Sequence, residues 1–233
     1  MTFEDKIKER YKGIQGEQYH ETKRSIPEVS YNWVSKLRAE KIQPHINKDD
    51  IVFEYGAGTG WNLAKLDCKQ KLGFDLSGHL AETLGRHNIE FIKDINDIAE
   101  SSIDTVICHH VLEHMANPTE FFTNIRRILK DKGKLLMFVP FEKERRYRYY
   151  NPHEPNHHLY SWNVQTLGNL ISDMGFIIGT EPGNAGIRKF GFDRFSSVWA
   201  VKLHLGETGF RLIRRTIHII NPAYEVCVIA TKN

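Results

Sequence analysis

The sequence has few cysteines and no long apolar run. Its three cysteines, Cys68, Cys108 and Cys227, lie far apart without a Cys-x-x-Cys pair, which argues against a disulfide framework and against a cysteine zinc site. The N-terminus lacks the apolar segment of a secretory leader, and no stretch approaches the roughly 18 apolar residues of a membrane-spanning helix. Internal repeats and low-complexity tracts are also missing. These absences predict a protein of the reducing cytoplasm.

The bulk composition fits one folded domain. The chain has 233 residues, 40% of them hydrophobic, and this is enough to bury a sizeable core. The formal net charge is only +3, so composition alone does not require a nucleic acid or a membrane as partner. We therefore predict a single α/β domain with additions.

Strand-like and helical segments alternate along the chain from residue 51. The predicted strands are 51–55, 71–75, 90–93, 103–108, 134–140, 176–181 and 224–231. One helix is predicted to start near residue 60. Five more are predicted at 78–87, 117–130, 162–174, 194–204 and 208–219. We expect Ser161 to cap the helix at 162–174 and Gly175 to end it. The alternation predicts a parallel sheet with right-handed crossovers.

A glycine-rich turn follows the first predicted strand. Glu54-Tyr-Gly-Ala-Gly-Thr-Gly60 comes directly after the apolar run Ile51-Val-Phe53, and a second apolar run ends in an acid at Gly73-Phe-Asp75. Glycines let the backbone approach a ligand that a Cβ would keep away, and a helix after the turn offers unpaired N–H groups to an anionic end. A carboxylate such as that of Asp75 can accept hydrogen bonds from both hydroxyls of a ribose. The two features together predict a nucleoside-binding unit.

The spacing of these glycines separates two classes of cofactor. A dinucleotide-binding turn has the pattern Gly-x-Gly-x-x-Gly/Ala, and counting from Gly56 its last position is occupied by Trp61. The observed Gly56-x-Gly58-x-Gly60, preceded by Glu54, instead resembles the first motif of the class I S-adenosylmethionine (SAM)-dependent methyltransferases.

Further motifs extend this resemblance over roughly residues 50–182. Asp75-Leu76 is similar to the family's ribose-binding acid with its apolar neighbour, and Asp94-Ile95 is similar to the pair beside the adenine. The resemblance implies that SAM contacts Glu54, Gly56, Ala57, Gly58, Gly60, Asp75, Leu76, Asp94, Ile95 and His109. Taken singly, such residues often form only a turn or a helix cap, but their shared order favours the cofactor.

The resemblance also implies a fold. It predicts a Rossmann-like, seven-stranded, mostly parallel α/β sheet of order 3-2-1-4-5-7-6 with helices on both faces. The predicted parts are an N-terminal helical cap at 1–46, a SAM-binding core at 47–182, a helical insertion at 183–222 and the last strand at 223–233. In related enzymes the cap folds over the cofactor, and the resemblance implies this role for Tyr11, Tyr19 and His20.

Methyl transfer from a sulfonium is a direct displacement, so the protein mainly aligns the reacting atoms and in some enzymes removes a proton. The segment Asn151-Pro-His-Glu-Pro-Asn-His-His-Leu-Tyr160 resembles the His-x-x-x-aromatic element that many small-molecule methyltransferases place beside the acceptor. We predict His157 or His158 as the general base and Tyr160 as a positioning group, with His153 as a weaker choice. The alternative is that these histidines hold the loop through hydrogen bonds to carbonyls.

A second cluster is formed by His110, Glu113 and His114, which can approach one another across one helical turn. The quinone-biosynthesis O-methyltransferases carry a similar Glu-x-x-Glu-His metal cluster, but His110 replaces the first acid here. We therefore predict no metal. The favoured interpretation is that Glu113 and His114 orient the loop before the following helix.

Two basic features bear on partners. The segment Lys143-Glu-Arg-Arg-Tyr-Arg-Tyr-Tyr150 carries four cations and three tyrosines, which suit an anionic acceptor, and a solvated loop is the alternative. Residues 194–219 are predicted to form two basic amphipathic helices. Such helices rest on anionic membranes, cover lipid-like substrates, pack on the core or form a dimer face, and the sequence leaves these alternatives open.

The favoured activity is SAM-dependent methylation of an oxygen or nitrogen atom of a small acceptor. An anionic metabolite, a glycan and a lipid-linked intermediate are the candidate classes. Metal-assisted O-methylation of a catechol-like ring is one enzyme alternative. RNA methylation is another, but the sequence lacks an Asn/Asp-Pro-Pro-Tyr-type motif, and nucleic acid is not expected as a partner. A non-catalytic binding subunit is the other alternative, and the intact cofactor motifs argue against it. Both a monomer and a homodimer fit the sequence.

Overall fold

The structure is a computed structural model that describes residues 2–23, 25–142, 149–152, 156–181 and 183–233. Its α-helices are α1 (Phe3–Glu9), α2 (Gly13–Lys23), α3 (Tyr31–Ile42), α4 (Ala81–Gly85), α5 (Pro118–Ile128), α6 (Val164–Asp173), α7 (Asp193–Lys202) and α8 (Gly206–Ile220). Its strands are β1 (Ile51–Tyr55), β2 (Gln70–Phe74), β3 (Glu90–Ile92), β4 (Ile103–His109), β5 (Leu129–Phe141), β6 (Phe176–Ile178), β7 (Ala185–Lys189) and β8 (Tyr224–Lys232). Short 3-10 helices lie at Glu28–Ser30, Gln43–His45, Gly78–Leu80, Ile95–Asp97 and Leu112–His114.

The strands of these residues form one sheet in the order β3-β2-β1-β4-β5-β8-β6, and β7 pairs with β8 on the same side as β6. Only β8 runs antiparallel to its neighbours in this part of the chain. The predicted Rossmann-like fold is confirmed, because β8 occupies the place of the predicted seventh strand. The structure adds one strand to the expected seven.

The additional strand β7 lies in the segment 183–222, for which only helices are predicted. Its sequence, Ala-Gly-Ile-Arg-Lys, carries little hydrophobic signal, because its side chains are at most half-buried. The strand is held in place by backbone pairing to Tyr224–Val228 of β8. The two predicted helices of this segment are present as α7 and α8.

Two local predictions are wrong. No regular helix follows Gly60: the chain makes a single turn, closed by the hydrogen bond from Ala64 N to Gly60 O at 2.9 Å, before it enters β2. Gly60 has φ of +80°, outside the helical region, which leaves a short connection. The cap of α6 is Asn163 rather than Ser161, because the Asn163 side chain accepts from Thr166 N at 2.9 Å. Gly175, with φ of +81°, ends this helix as predicted.

Apolar side chains cover both faces of the sheet. Successive residues of a strand point to opposite faces, so Phe53 of β1 packs in the cluster that includes Phe122 of α5, and Val52 packs in the cluster that includes Ile42 of α3 and Leu84 of α4. Helices therefore lie on both faces of the sheet, as predicted.

A third, smaller cluster joins the C-terminal helices to the N-terminal part of the chain. It contains Val34 of α3, Ala200 of α7 and Phe210 of α8, all fully buried. The segment 193–220 is therefore anchored on α3 rather than on the sheet. None of the described helices combines the length and the apolar content that crossing a membrane requires.

Candidate functional site

A deep cleft opens where β1, β2 and β4 end. The strand order reverses between β1 and β4, and in open α/β sheets ligands bind at this point, above the carboxyl ends of the strands. The cleft has a volume of about 1330 Å³ including its open mouth. Its walls come from the glycine turn, from the residues that follow β2 and β4, and from α1, α2, α3 and α5. The chain thus has a ligand-sized cavity at the place that the fold predicts.

The glycine turn forms the floor of the cleft. Gly56, Gly58 and Gly60 have φ values of +77°, +52° and +80°, which a residue with a Cβ rarely adopts. The amides of Gly56 and Ala57 both donate to Phe74 O, at 2.7 and 2.9 Å, and hold the turn against the end of β2. The structure therefore brings together Gly56, Ala57 and Gly58, which line the cleft, while Gly60 supports the turn from behind.

Glycine is also required at Gly56 because the surrounding side chains leave no space for a Cβ atom. A Cβ on Gly56 would lie 2.3 Å from Cγ2 of Val111. Because left-handed strain and overpacking act together, we expect Gly56→Ala to lower the free energy of unfolding by about 3 kcal/mol, as measured by urea denaturation. Gly78→Ala is the matched control, since a Cβ there meets no atom within 4 Å. Equal stability of the two variants would contradict the expected strain.

Asp75 links the end of β2 to the glycine turn. Its Oδ2 accepts from Gly58 N at 2.9 Å, and its Oδ1 accepts from Ser77 N at 2.9 Å. His20 Nε2 of α2 lies 3.8 Å from the same carboxylate. Asp75 and Leu76 both line the cleft. The acid is thus held by backbone amides in the cleft wall, and its role at the ribose stays a prediction.

Glu54 lies beneath the turn and is fully buried. Its Oε1 accepts from Asn62 Nδ2 at 2.5 Å, whereas its Oε2 has no hydrogen-bond partner among the described residues. Burial raises the pKa of Glu54 to about 8. A buried carboxylate oxygen without a donor is costly unless a ligand supplies one. Glu54 lies outside the cleft wall, beneath the turn, and its unpaired oxygen fits a cationic group of a ligand that reaches it there.

Asp94 and Ile95 lie outside the cleft walls. The exposed Asp94 caps the short helix Ile95–Asp97, because its Oδ1 accepts from Asn96 N and from Asn96 Nδ2, both at 2.9 Å. Ile95 is buried in the core. A role of this pair beside the adenine stays a prediction.

His109 ends β4 and lies in the wall of the cleft, as predicted. Two cations meet its Nε2: Arg38 Nη1 and Lys41 Nζ of α3, each at 2.9 Å. Burial and the adjacent Lys41 hold the pKa of His109 well below its ordinary value. The ring is therefore neutral and uses Nε2 as an acceptor, which makes it part of the wall rather than a base.

The two cations are balanced by carboxylates from the other end of the chain. Lys41 Nζ lies 2.8 Å from Glu225 Oε1, and Arg38 Nη2 lies 2.5 Å from Asp193 Oδ2. Asp193 in turn accepts from Arg214 Nε at 2.7 Å. Although burial alone would raise it, Lys41 holds the pKa of Glu225 well below its ordinary value. Sequence reasoning missed this buried ion-pair cluster.

Arg38 is the member of the cluster that reaches the cleft. It lies in the cleft wall with 6% of its surface exposed, and its Nε has no partner among the described residues. The only sequence signal for it is a cation among the apolar positions Val34, Leu37 and Ile42 of α3. A buried guanidinium N–H beside the glycine turn fits an anionic group of the ligand.

The predicted approach of His110 to Glu113 and His114 is wrong. His110 has φ of +57°, and its Nε2 points to Glu225 Oε2 at 3.3 Å, so the ring joins the buried ion-pair cluster. Glu113 and His114 instead meet His158, with one ligand atom of each within 4.8 Å of the others. His114 lines the cleft, and its Nδ1 is 2.9 Å from the hydroxyl of Tyr11 in the N-terminal cap.

The predicted catalytic residues occupy different environments. His158 is mostly buried; its Nδ1 lies 2.6 Å from Glu142 Oε1, and its ring is 4.8 Å from that of His114. His157 is exposed, with φ of +51°. Tyr160 is 38% exposed, and its hydroxyl donates to Ala116 O at 3.4 Å. His158 is thus linked to the cleft wall through the ring of His114, and Tyr160 is linked to it through the carbonyl of Ala116.

Parts of the predicted site lie outside the described residues. These are His153, the segment 143–148 of the basic loop and the side chain of Tyr19. Tyr149 and Tyr150 of that loop are described and are strongly exposed. Tyr11 and His20 of the N-terminal cap line the cleft, on the side of α1 and α2.

Comparison with models of protein families shows to which family the chain belongs. The model of a family described as "Methyltransferase domain" matches residues 29–179, more than half of the chain. The chain belongs to the SAM-dependent methyltransferases. SAM is therefore the cofactor of this methyltransferase. A search of curated proteins found no match.

Solved structures of methyltransferases share the fold. An Archaeoglobus fulgidus SAM-dependent methyltransferase matches with a TM-score of 0.60 at 18% identity, over 93% of this chain and 99% of that one. A Thermotoga maritima SAM-dependent methyltransferase matches with a TM-score of 0.60 at 16% identity, over 98% and 99%. Haemonchus contortus phosphoethanolamine N-methyltransferase 2, in complex with phosphomonomethylethanolamine and S-adenosylhomocysteine, matches with a TM-score of 0.56 at 16% identity. The match covers 86% of this chain but only 52% of the Haemonchus enzyme.

Proposed function

We propose that this methyltransferase transfers a methyl group from SAM to an oxygen or nitrogen atom of a small, anionic acceptor. The observation that carries the proposal is the position of the His158–Glu142 pair. It adjoins His114 in the wall of the same cleft whose floor is the glycine turn with Asp75. The floor of the cleft suits a nucleoside, and the wall residue His114 contacts a histidine that is held by a carboxylate. This combination suits proton removal near a bound cofactor.

The methionine end of SAM carries both an ammonium and a carboxylate. We assign its ammonium to Glu54 Oε2 and its carboxylate to Arg38 Nε. Support comes from two buried polar atoms of opposite character that have no partner among the described residues. A zwitterion satisfies both atoms at once, which is the arrangement that the cost of unpaired buried groups favours.

The nucleoside end follows the resemblance. Asp75 would accept from the ribose hydroxyls, and Asp94 would accept from the adenine amino group. Asp75 already lies in the cleft wall, and its carboxylate is fixed by the amides of Gly58 and Ser77. SAM supplies the methyl group as an electrophile when it is bound, and the side chains of the cleft align the acceptor with it.

His158 is the proposed general base. Its Nδ1 donates to Glu142, which fixes the ring orientation and leaves Nε2 as the basic nitrogen. Nε2 takes the proton from the acceptor O–H or N–H as the new bond to the methyl carbon forms. Glu142 then faces an imidazolium, whose charge it stabilises. The anionic character of the acceptor rests on the four cations of the segment 143–148.

A screen of acceptors tests the proposal. Purified protein is incubated with SAM and pools of anionic metabolites, sugar derivatives and lipid headgroup analogues, and release of S-adenosylhomocysteine is measured. We expect at least one pool to stimulate release above the acceptor-free rate, and Asp75→Ala to abolish the stimulation. SAM binding without stimulation by any pool, with RNA also inactive, would instead favour the non-catalytic binding subunit.

Glu54 gives the proposal a pH-dependent signature. Its pKa of about 8 in the free protein means that it is mainly protonated at pH 6.5. An ammonium at Oε2 favours the ionised form, so binding of SAM at pH 6.5 should release close to one proton. The affinity should accordingly rise with pH, by roughly up to tenfold per unit, until pH approaches 8. Calorimetry in buffers of different ionisation enthalpy measures the proton release.

The matched control is Glu54→Gln, which keeps the shape but cannot ionise. The variant should bind SAM more weakly and release no proton. A heat of binding that does not depend on the buffer in the wild-type protein would contradict the assignment of the ammonium to Glu54.

A further inference from the structure

The outer faces of α7 and α8 carry a band of exposed apolar side chains. On α7, Phe195, Trp199 and Leu203 recur at helical spacing, and Phe195 and Trp199 lie with ring centroids 6.1 Å apart. On α8 and at its ends, the exposed apolar residues are Leu205, Leu212, Ile219 and Ile220. The two most exposed of these, Ile219 and Ile220, show 71% and 79% of their surface. We call these seven residues the α7–α8 apolar band.

The band is not needed to hold the helices in place. The opposite faces of α7 and α8 supply Ala200 and Phe210 to a buried cluster with Val34, and Asp193 fixes the start of α7 through Arg38. An amphipathic helix ordinarily turns its apolar stripe inward and its polar face outward. Here the helices are apolar on both sides, so the outer band is available for a second contact.

The segment that carries the band has five cations and two acids, and Glu40 of α3 pairs with one of these cations, Arg211. The segment 193–220 contains only two acids, Asp193 and Glu207. Asp193 is buried between Arg38 and Arg214, and Glu207 lies 2.8 Å from Lys36 Nζ and 3.0 Å from Arg211 Nη2. Both acids are thus neutralised by neighbouring cations of the protein.

The cations beside the band remain at the surface. Lys202 and Arg215 are both exposed, and Lys202 Nζ lies 5.6 Å from the centre of the Trp199 ring. Tryptophan prefers the headgroup level of a bilayer, and exposed Lys and Arg are attracted by anionic lipids. An apolar band that is flanked by Lys202 and Arg215, with both acids of its own segment paired, complements an anionic lipid surface.

We propose that the α7–α8 apolar band docks this methyltransferase on anionic membranes. The apolar side chains enter the boundary between headgroups and acyl chains, while Lys202 and Arg215 contact the lipid phosphates. A homodimer would also cover the band, but it would bring the cations of two copies together. The charge pattern therefore favours the lipid surface over a second copy.

Sedimentation with vesicles tests the docking. Full-length protein is mixed with vesicles of phosphatidylcholine alone and of phosphatidylcholine with phosphatidylglycerol, at low and at physiological salt. We expect sedimentation with the anionic vesicles only, and more of it at low salt. The double variant Leu212→Glu with Ile219→Glu should lower the bound fraction at least about tenfold, because the acids repel the lipids and cannot enter the acyl region.

Ile177→Glu is the matched control, since Ile177 is an exposed isoleucine, with 55% of its surface accessible, on β6 and outside the band. It should bind like the wild type, and thermal melting should show that both variants are folded. Equal sedimentation with neutral and anionic vesicles, or none with either, would overturn the proposal. A change from dimer to monomer in the double variant, measured by light scattering, would overturn it in favour of a dimer face. None of these outcomes depends on methyl transfer, so the proposed function is tested separately.

Discussion

Asp75→Ala is expected to lower the affinity for SAM and for S-adenosylhomocysteine at least about 100-fold, since a carboxylate that accepts from two hydroxyls contributes roughly 3 kcal/mol or more. The expectation follows from its position in the cleft wall, where both oxygens are already oriented by the amides of Gly58 and Ser77. Isothermal titration calorimetry with the two sulfur ligands measures the loss, and NAD serves as a ligand that should not bind either protein.

The matched control for this variant is Asp131→Ala, which removes an exposed acid near the start of β5, at the opposite end of the sheet from the cleft. It should leave the affinity within about twofold, because a surface charge far from the ligand is screened by salt. Asp75 also orders the glycine turn through Gly58, so a thermal melt has to show that the alanine variant is folded. If the folded variant binds within threefold of the wild type, the ribose is not held by Asp75.

His158→Ala is expected to lower turnover by about 10²–10⁴-fold with the acceptor that the screen identifies, while the affinity for SAM changes little. The reason is that His158 is held by Glu142 and adjoins His114 in the cleft wall, but does not itself line the SAM-binding floor. Steady-state kinetics with both substrates separate the effect on turnover from an effect on binding.

The neighbouring His157 provides the matched control. It is exposed, so His157→Ala should keep near-normal turnover. Glu142→Gln should show an intermediate loss, because an amide still contacts the ring but cannot stabilise the imidazolium. Wild-type turnover in His158→Ala would mean that methyl transfer here needs no base from this residue. Equal losses in the His157 and His158 variants would indicate a general disturbance of the loop instead.

The glycine turn, Asp75 and the central strands can be predicted from the sequence because each leaves a local signal, whereas the order of the strands follows only from the family resemblance. A turn with positive φ requires glycine, and a buried strand requires a run of apolar residues. The positions predicted for Gly56, Gly58 and Asp75 therefore agree with their positions in the cleft. The central strands can also be predicted, since each contributes apolar side chains to both faces of the sheet.

The buried ion-pair cluster could not be predicted in the same way. Arg38, Asp193, Arg214 and Glu225 belong to α3, α7, α8 and β8, and each resembles an ordinary surface charge in its own segment. The desolvation cost of these charges is offset only because they pair across long distances in the sequence. No local spacing of residues encodes that pairing. The strand β7 escaped prediction for a related reason, because its order comes from the backbone of β8 rather than from its own side chains.

The place of β8 in the sheet has a consequence for the order of assembly. β8 is the last strand in the chain, yet it lies between β5 on one side and β6 and β7 on the other. A growing chain on the ribosome therefore carries β5 with an unpaired inner edge until residues 224–232 have been made. Lys41 of the cleft-side ion-pair cluster also lacks its partner Glu225 until β8 has been made, and a chain that lacks β8 exposes an aggregation-prone edge.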